Sequence, residues 1–153
     1  MSIFPFFKKK EFFSAAEKER IIEAIRKAEM QTCGEVRVYV ERHNPLVDIM
    51  ERAREIFFQL QMNETDHRNA VLLYMATSHR ELALFGDEGI FNATGASYWN
   101  DAVKNMLSEF SADDVCGGVE HCIHRIGQTL KEKFPYQPTE DKNELPDEII
   151  FGR

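Results

Sequence analysis

The sequence has few of the features that mark exported, membrane-spanning or disulfide-stabilised proteins. Its three cysteines, Cys33, Cys116 and Cys122, are odd in number and form no CxxC pair, so neither a disulfide framework nor a zinc site is indicated. No window approaches the roughly 18 apolar residues of a spanning helix, and no secretory signal begins the chain. We therefore expect a cytoplasmic protein with reduced, mostly buried thiols and no stable membrane insertion.

The sequence also lacks an excess of positive charge, because its 26 acidic residues outnumber its 19 lysines and arginines. The formal net charge is −7, which disfavours nucleic acid as a partner because phosphate binding depends on clustered lysine and arginine. The longest basic run, Lys8–Lys10, follows the apolar residues Ile3–Phe7. One short basic cluster is a weak membrane anchor without a second signal. A docked or frayed amino terminus is the favoured interpretation of this segment.

The remaining composition indicates one globular domain. A chain of 153 residues suits a single core, and its 43% hydrophobic content is enough to build one. We divide it into an N-terminal segment (1–12), an α/β domain (13–134) and an extended, proline-rich C-terminal tail (135–153). The tail is expected to pack only through Leu145, Ile149, Ile150 and Phe151.

The first predicted elements are a helix and a strand. Ser14 and Glu17 form a capping box, in which each side chain satisfies a free backbone amide at the start of a helix. Helical spacing of apolar residues continues to about residue 32, and Gly34 suits the left-handed residue that ends a helix. Valines then alternate with polar residues from Val36 to Val40, which predicts a half-buried strand.

The middle of the chain predicts a crossover and a hairpin. Asn44 and Pro45 have the residue types of a helix cap and first helical position. Residues 70–76 form an almost continuous apolar run, typical of a strand buried on both faces. Residues 81–86 follow so closely that only an antiparallel connection fits.

Two further helices complete the expected fold, the second capped by Ser111 or Asp113. Strands that alternate with amphipathic helices indicate a layered domain. The fold class predicted from these patterns is therefore α/β, with a mixed sheet and the crossover helix on one of its faces.

Polar residues gather where this topology brings three strand ends together. The start of the first strand, the start of the second and the end of the third should share one edge of the sheet. The candidate site residues there are Asp87, Glu88, Glu35, Asp66, Glu64, Asn69 and Arg68. Oxygen ligands of this kind suit Ca²⁺ or Mg²⁺. The alternative is an ion-paired loop without metal, with Arg68 as the counter-charge.

Other candidate chemistry is weaker. His121 and His124 lie three residues apart on a predicted helix without a companion ligand at fixed spacing, so we assign no zinc. Nucleophile elbows, phosphate-binding glycine loops and dinucleotide fingerprints are missing from the sequence. If the metal site is not at the acidic edge, Asp113 and Asp114 are the next candidates.

An ordered set of motifs resembles the TPM domain family over roughly residues 12 to 148. The motifs are Phe13–Ile21, Ala28–Glu29, Thr32–Val38, Thr65–Tyr74, Gly86–Ile90, Trp99, Gly117–Gly118, Phe134–Pro135 and Asn143–Pro146. The resemblance implies a three-layer, Rossmann-like α/β/α sandwich with helices on both faces of a mixed sheet. It also implies acidic loops able to bind divalent cations. The matching site positions are Glu35, Arg68, Asn69, Asp87 and Glu88.

Family members include a plant thylakoid acid phosphatase linked to photosystem repair and animal receptor modulators, so the fold alone does not decide the function. Two hypotheses follow. In the first, Ca²⁺ or Mg²⁺ orders the loops around residues 63 to 69 and 86 to 96 and changes the surface offered to an unidentified protein partner. In the second, the chain is a metal-dependent acid phosphatase acting on phosphomonoesters, with Asp87 or Glu88 as ligand or base and Arg68 contacting the phosphoryl group. The first is preferred because no nucleophile is identifiable.

Overall fold

The computed structural model describes residues 12–110, 113–137 and 148–152. In chain order, its helices and strands are α1 (Ala15–Glu29), β1 (Glu35–Glu41), α2 (Ile49–Gln59), β2 (Ala70–Ala76), β3 (Glu81–Gly86), α3 (Glu88–Thr94), α4 (Ala96–Ser108), α5 (Val115–Lys131) and β4 (Ile149–Phe151). A short 3₁₀ turn, Thr77–His79, joins β2 to β3.

The strands form one mixed sheet in the order β3-β2-β1-β4. β1 runs parallel to β2 in a register that pairs Glu35 with Ala70, while β2 and β3 are antiparallel. β4 adds a parallel edge strand to β1, with Val38 opposite Ile149. The predicted order of strand, crossover helix, parallel strand and antiparallel strand is confirmed. The prediction that β1 is half-buried is wrong, because helices cover both faces of the sheet and six of its seven residues are buried.

The two faces of the sheet are covered by different helices. On one face, alternate side chains of β1 and β2 join α1, α4 and α5 in a large apolar cluster that includes Val38, Leu73 and Trp99. On the other face, α2 alone packs Ile56 and Phe57 against the remaining side chains. Helices therefore lie on both faces, and the predicted three-layer α/β/α sandwich is confirmed.

Several helix ends differ from those expected. α2 begins after Asp48, whose carboxylate accepts the Met50 amide at 2.9 Å. Asn44 does not cap α2. Its side-chain oxygen accepts a hydrogen bond from the Leu46 amide at 2.9 Å, and this local turn competes with helix initiation. α1 ends at Met30, which has right-handed helical backbone, and not through a left-handed Gly34.

Gly34 lies at a crowded position instead: a Cβ there would lie 2.9 Å from a methyl carbon of Leu130 and 3.1 Å from the Asn69 carbonyl oxygen. The cap of α5 is Asp114, one residue after the expected Asp113, and it accepts the Gly117 amide at 2.9 Å. The alternative cap, Ser111, lies outside the described residues.

Parts of the expected termini also lie outside the described residues: Ile3–Phe7, Lys8–Lys10 and Leu145. Of the expected tail contacts, Ile149 and Ile150 are partly buried in β4, and Phe151 pairs with β1 while remaining 46% exposed. Within the described part of the chain, none of the helices has both the length and the apolar character needed to cross a bilayer.

Candidate functional site

The acidic edge of the sheet is where the starts of β1 and β2 meet the end of β3. Glu35 lies opposite Ala70 at the beginning of the parallel pair, and Gly86 at the end of β3 lies opposite Val71. The chain leaving β3 stays attached to this edge, because the Asp87 amide donates to the Ala70 carbonyl at 3.0 Å. The hydrogen-bonding register of the sheet therefore sets the spacing between the loops that carry the candidate side chains.

Arg68 is the centre of the cluster at this edge. Its Nε and one terminal nitrogen donate to the two oxygens of Asp87 at 2.7 and 2.9 Å, and the other terminal nitrogen donates to Glu88 at 2.8 Å. The Asp87 side chain is 3% exposed and the Arg68 side chain 34%. The hydrogen bond to Asp87 raises the pKa of Arg68 above its ordinary value. The cation is therefore fully charged at any physiological pH.

The local backbone holds these groups in place. Arg68 has a positive φ of 51°, which is uncommon for a residue with a side chain. Its carbonyl accepts the Gly89 amide at 2.9 Å. A Cβ at Gly89 would lie 2.1 Å from the His67 carbonyl oxygen and 2.5 Å from that of Arg68, so only glycine permits this approach. Asp87 also caps α3 by accepting the Glu88 amide at 2.8 Å.

Two buried oxygens at the same edge have no hydrogen-bond partner among the described residues: Asn69 Oδ1 and Thr65 Oγ1. Asn69 is fully buried, and its amide nitrogen donates to the Cys33 sulfur at 3.5 Å, which fixes the nitrogen and oxygen positions of its side chain. Buried polar atoms are almost always satisfied, so these two oxygens require a structural or functional explanation.

The other predicted site residues are placed around this cluster. Glu35 is buried at 3% exposure, whereas Glu64 and Asp66 are exposed in the turn that leads to Arg68. The structure thus brings Arg68, Asp87 and Glu88 into direct contact, which is the arrangement of the ion-paired alternative. Across residues 12–110, 113–137 and 148–152, no three histidine, cysteine or acidic side chains are grouped closely enough to hold a metal ion.

The helical histidines and cysteines take part in other contacts. His121 pairs with Glu109, which also accepts a hydrogen bond from Arg125, so this histidine joins α5 to the end of α4. Burial raises the pKa of Cys122 to about 12, which keeps its thiol protonated and unsuited to nucleophilic work. Of the alternative acidic pair, Asp114 is engaged as the cap of α5.

Sequence reasoning missed a buried polar cluster on the α2 side of the sheet. Arg52 donates to both oxygens of Glu41, at 2.8 and 2.9 Å, and Tyr74 donates its hydroxyl to the same carboxylate. Burial opposes ionisation of Glu41, but the hydrogen bonds from Arg52 and Tyr74 outweigh it and hold its pKa below the usual value. The feature of the sequence that could have indicated this cluster is Glu41 itself, a charged residue at the end of the strand β1.

The comparisons with known proteins agree with this architecture. A family model described as the TPM domain matches residues 7–129. The chain belongs to the TPM domain family. This TPM domain is also similar to the NMR structure of BA42 protein from the psychrophilic bacterium Bizionia argentinensis, with a TM-score of 0.84 and 32% sequence identity over 95% of this chain and 99% of that chain. No curated protein matches the chain.

Proposed function

We propose that this TPM domain is a divalent-cation-responsive binding module in which Arg68 occupies the place of the cation when no metal is bound. The observation that carries the proposal is the fully buried Asn69 oxygen, which has no partner among the described residues and lies at the edge where Asp87 and Glu88 are held. Amide, hydroxyl and carboxylate oxygens are the ligands that Ca²⁺ and Mg²⁺ prefer.

The residues present fit such a site as a mixed oxygen set. Asn69 and Thr65 offer the unpartnered oxygens, while Asp87 and Glu88 offer the charge that a divalent cation needs. Because a guanidinium holds both carboxylates, metal binding and the Arg68 ion pairs compete for the same oxygens. Glu35, Glu64 and Asp66 add negative potential along the edge, which favours any cation over an anion.

The proposed response follows from what Arg68 holds together. Its side chain joins the turn at residues 65–68 to the first turn of α3, so releasing it frees both segments to take a different arrangement. Asp87 and Glu88 would exchange one monovalent partner for a divalent one. The surface formed by the loops around residues 63 to 69 and 86 to 96 would then differ between the two states, and a protein partner could read that difference.

Calorimetric titration with Ca²⁺ and Mg²⁺ tests the proposal. Asp87→Asn should weaken binding by about tenfold or more, since even groups that only support a metal ligand contribute that much. Arg68→Gln should bind the cation more tightly, because the competing guanidinium is gone. Arg54→Gln is the matched control: it removes an arginine charge from the exposed part of α2, outside the acidic edge. Its affinity should stay near that of the wild type.

Thermal unfolding supplies a second measurement. A ligand that binds only the folded state stabilises it by RT ln(1 + [L]/Kd), about 2.7 kcal/mol at a hundredfold excess over Kd. The proposal is refuted if the wild type binds neither cation below millimolar concentrations. It is also refuted if Arg54→Gln tightens binding as much as Arg68→Gln does. The acid phosphatase alternative makes a different prediction. The wild type would hydrolyse a phosphomonoester only with metal present, and both Arg68→Gln and Asp87→Asn would abolish that activity.

A further inference from the structure

A cavity of about 360 Å³ opens at the opposite edge of the sheet, where β2 ends and β3 begins. Its apolar wall includes Phe12, Leu82, Phe110 and Val115, and its polar rim includes Thr77 and Arg80. The volume falls within the range of small-molecule sites, which are mostly apolar with a few polar groups that orient the ligand. The acidic edge described above contributes none of these residues.

One basic side chain, that of Arg80, lies on the rim of this cavity, and a second, that of Arg42, lies on the adjoining loop. Arg80 is exposed and makes no ion pair among the described residues, and the same is true of Arg42, which follows β1. The two loops are held together, because the Ser78 amide donates to the Arg42 carbonyl at 2.8 Å. The rings of His43 and His79 add a contact between them, with centroids 5.7 Å apart.

The local charge balance favours an anion. One acid, Glu81, lines the cavity, against Arg80 on the rim and Arg42 on the adjoining loop. Neither arginine has an acidic partner among the described residues, so both charges are available to an anion. In open α/β sheets, ligands commonly bind beyond the carboxyl ends of parallel strands, and β1 and β2 both end here.

We propose that this cavity binds a small amphiphilic carboxylate, with its hydrocarbon part against Leu82, Phe110 and Val115 and its carboxylate facing Arg80. Guanidinium groups match carboxylates geometrically, and apolar side chains favour the hydrocarbon through burial. The site is independent of the proposed cation response, since it lies at the other end of the strands.

The test uses the full chain and a homologous ligand series, followed by amide chemical shifts in NMR spectra. Butyrate, hexanoate and octanoate should shift the amides of Ala76, Thr77 and Leu82. Affinity should rise about three- to fourfold for each added methylene until the cavity is filled, as expected for burial of CH₂ groups. Hexanol should bind about tenfold more weakly than hexanoate, because it lacks the charge that strengthens a hydrogen bond.

Two variants test separately the contact with the carboxylate of the ligand and the contact with its hydrocarbon part. Arg80→Asn removes the charge and keeps a residue that tolerates the positive φ of 52° found there, so hexanoate should weaken to the level of hexanol while hexanol is unchanged. Leu82→Phe should weaken both ligands by filling space. Lys104→Gln is the control for a lost positive charge, since Lys104 is exposed on α4 and does not line the cavity.

The proposal is overturned if hexanol or hexylamine binds as well as hexanoate, if Arg80→Asn leaves the preference unchanged, or if the shifted amides lie away from the cavity. It is also overturned if nuclear Overhauser contacts in the free protein place the side chains of residues 3–7 against Leu82, because the cavity would then be filled by the chain itself. Calcium titration of Arg80→Asn should match the wild type, which keeps this result separate from the proposed cation response.

Discussion

Replacing Arg52 by Met should destabilise the protein in a way that depends on pH. The change removes both hydrogen bonds to Glu41 and leaves a carboxylate whose side chain is 3% exposed. Breaking a buried ion pair by removing one partner typically costs about 3–5 kcal/mol. Because Tyr74 still donates to Glu41 and the Arg52 side chain was 14% exposed, we expect a cost at or just below the bottom of that range, about 2–3 kcal/mol at pH 7.

The sign of the pH dependence follows from the pKa of Glu41. In the wild type this pKa lies below the usual value, so the contribution of Glu41 is present above the unfolded-state pKa and is lost as pH falls through the folded-state pKa. In the variant, burial without Arg52 should raise the folded-state pKa above the unfolded value. Glu41 then destabilises the variant at neutral pH, and protonation relieves that penalty at about pH 4 and below.

Urea unfolding at a series of pH values from neutral to acid measures the difference between the two proteins. That difference should shrink steadily as the pH falls. Arg54→Met is the matched control, since it removes an exposed arginine two positions further along α2, and its effect should be small at every pH. If the loss of unfolding free energy in Arg52→Met does not vary with pH, lost packing accounts for it, and not an uncompensated carboxylate.

Two further substitutions test the core and the acidic edge. Leu73→Ala in β2 should destabilise by roughly 2–5 kcal/mol in urea unfolding, because the side chain is fully buried, and a loss under about 1 kcal/mol would contradict its place in the core. Gly89→Ala should cost about 1–3 kcal/mol and speed hydrogen exchange of the amide at position 89, since the new Cβ would force α3 away from the carbonyls of His67 and Arg68. Unchanged exchange would show that the loop yields without strain.

Much of the architecture was readable from local patterns. The alternation from Val36 to Val40 and the apolar run at 70–76 predicted the positions of β1 and β2. The apolar run also predicted burial of both faces of β2, whereas the alternation predicted a half-buried β1 that the structure buries on both faces. The capping box at Ser14 and Glu17 marked the start of α1, since both groups of that interaction lie within one helical turn. The meeting of Arg68, Asp87 and Glu88 was also anticipated, because strand direction alone decides which loops share an edge.

Other features depended on contacts between distant parts of the chain. The pairing of β4 with β1 joins residues more than 100 positions apart, and three apolar residues in a proline-rich tail carry too little pattern to reveal it. The Glu41 cluster has the same origin: Tyr74 reaches the carboxylate only when β2 pairs with β1, and Arg52 only when α2 packs on the sheet.

The sequence by itself determined the elements and their order, since these follow from periodicity and capping within short windows. The tertiary structure alone decided how each charge is satisfied. Arg68 could have remained in solvent or paired with Asp66, and only the sheet register and the glycine approach at Gly89 place its guanidinium on Asp87. Local patterns specify which surfaces must be buried, whereas ion pairs form between side chains that meet after that burial has taken place.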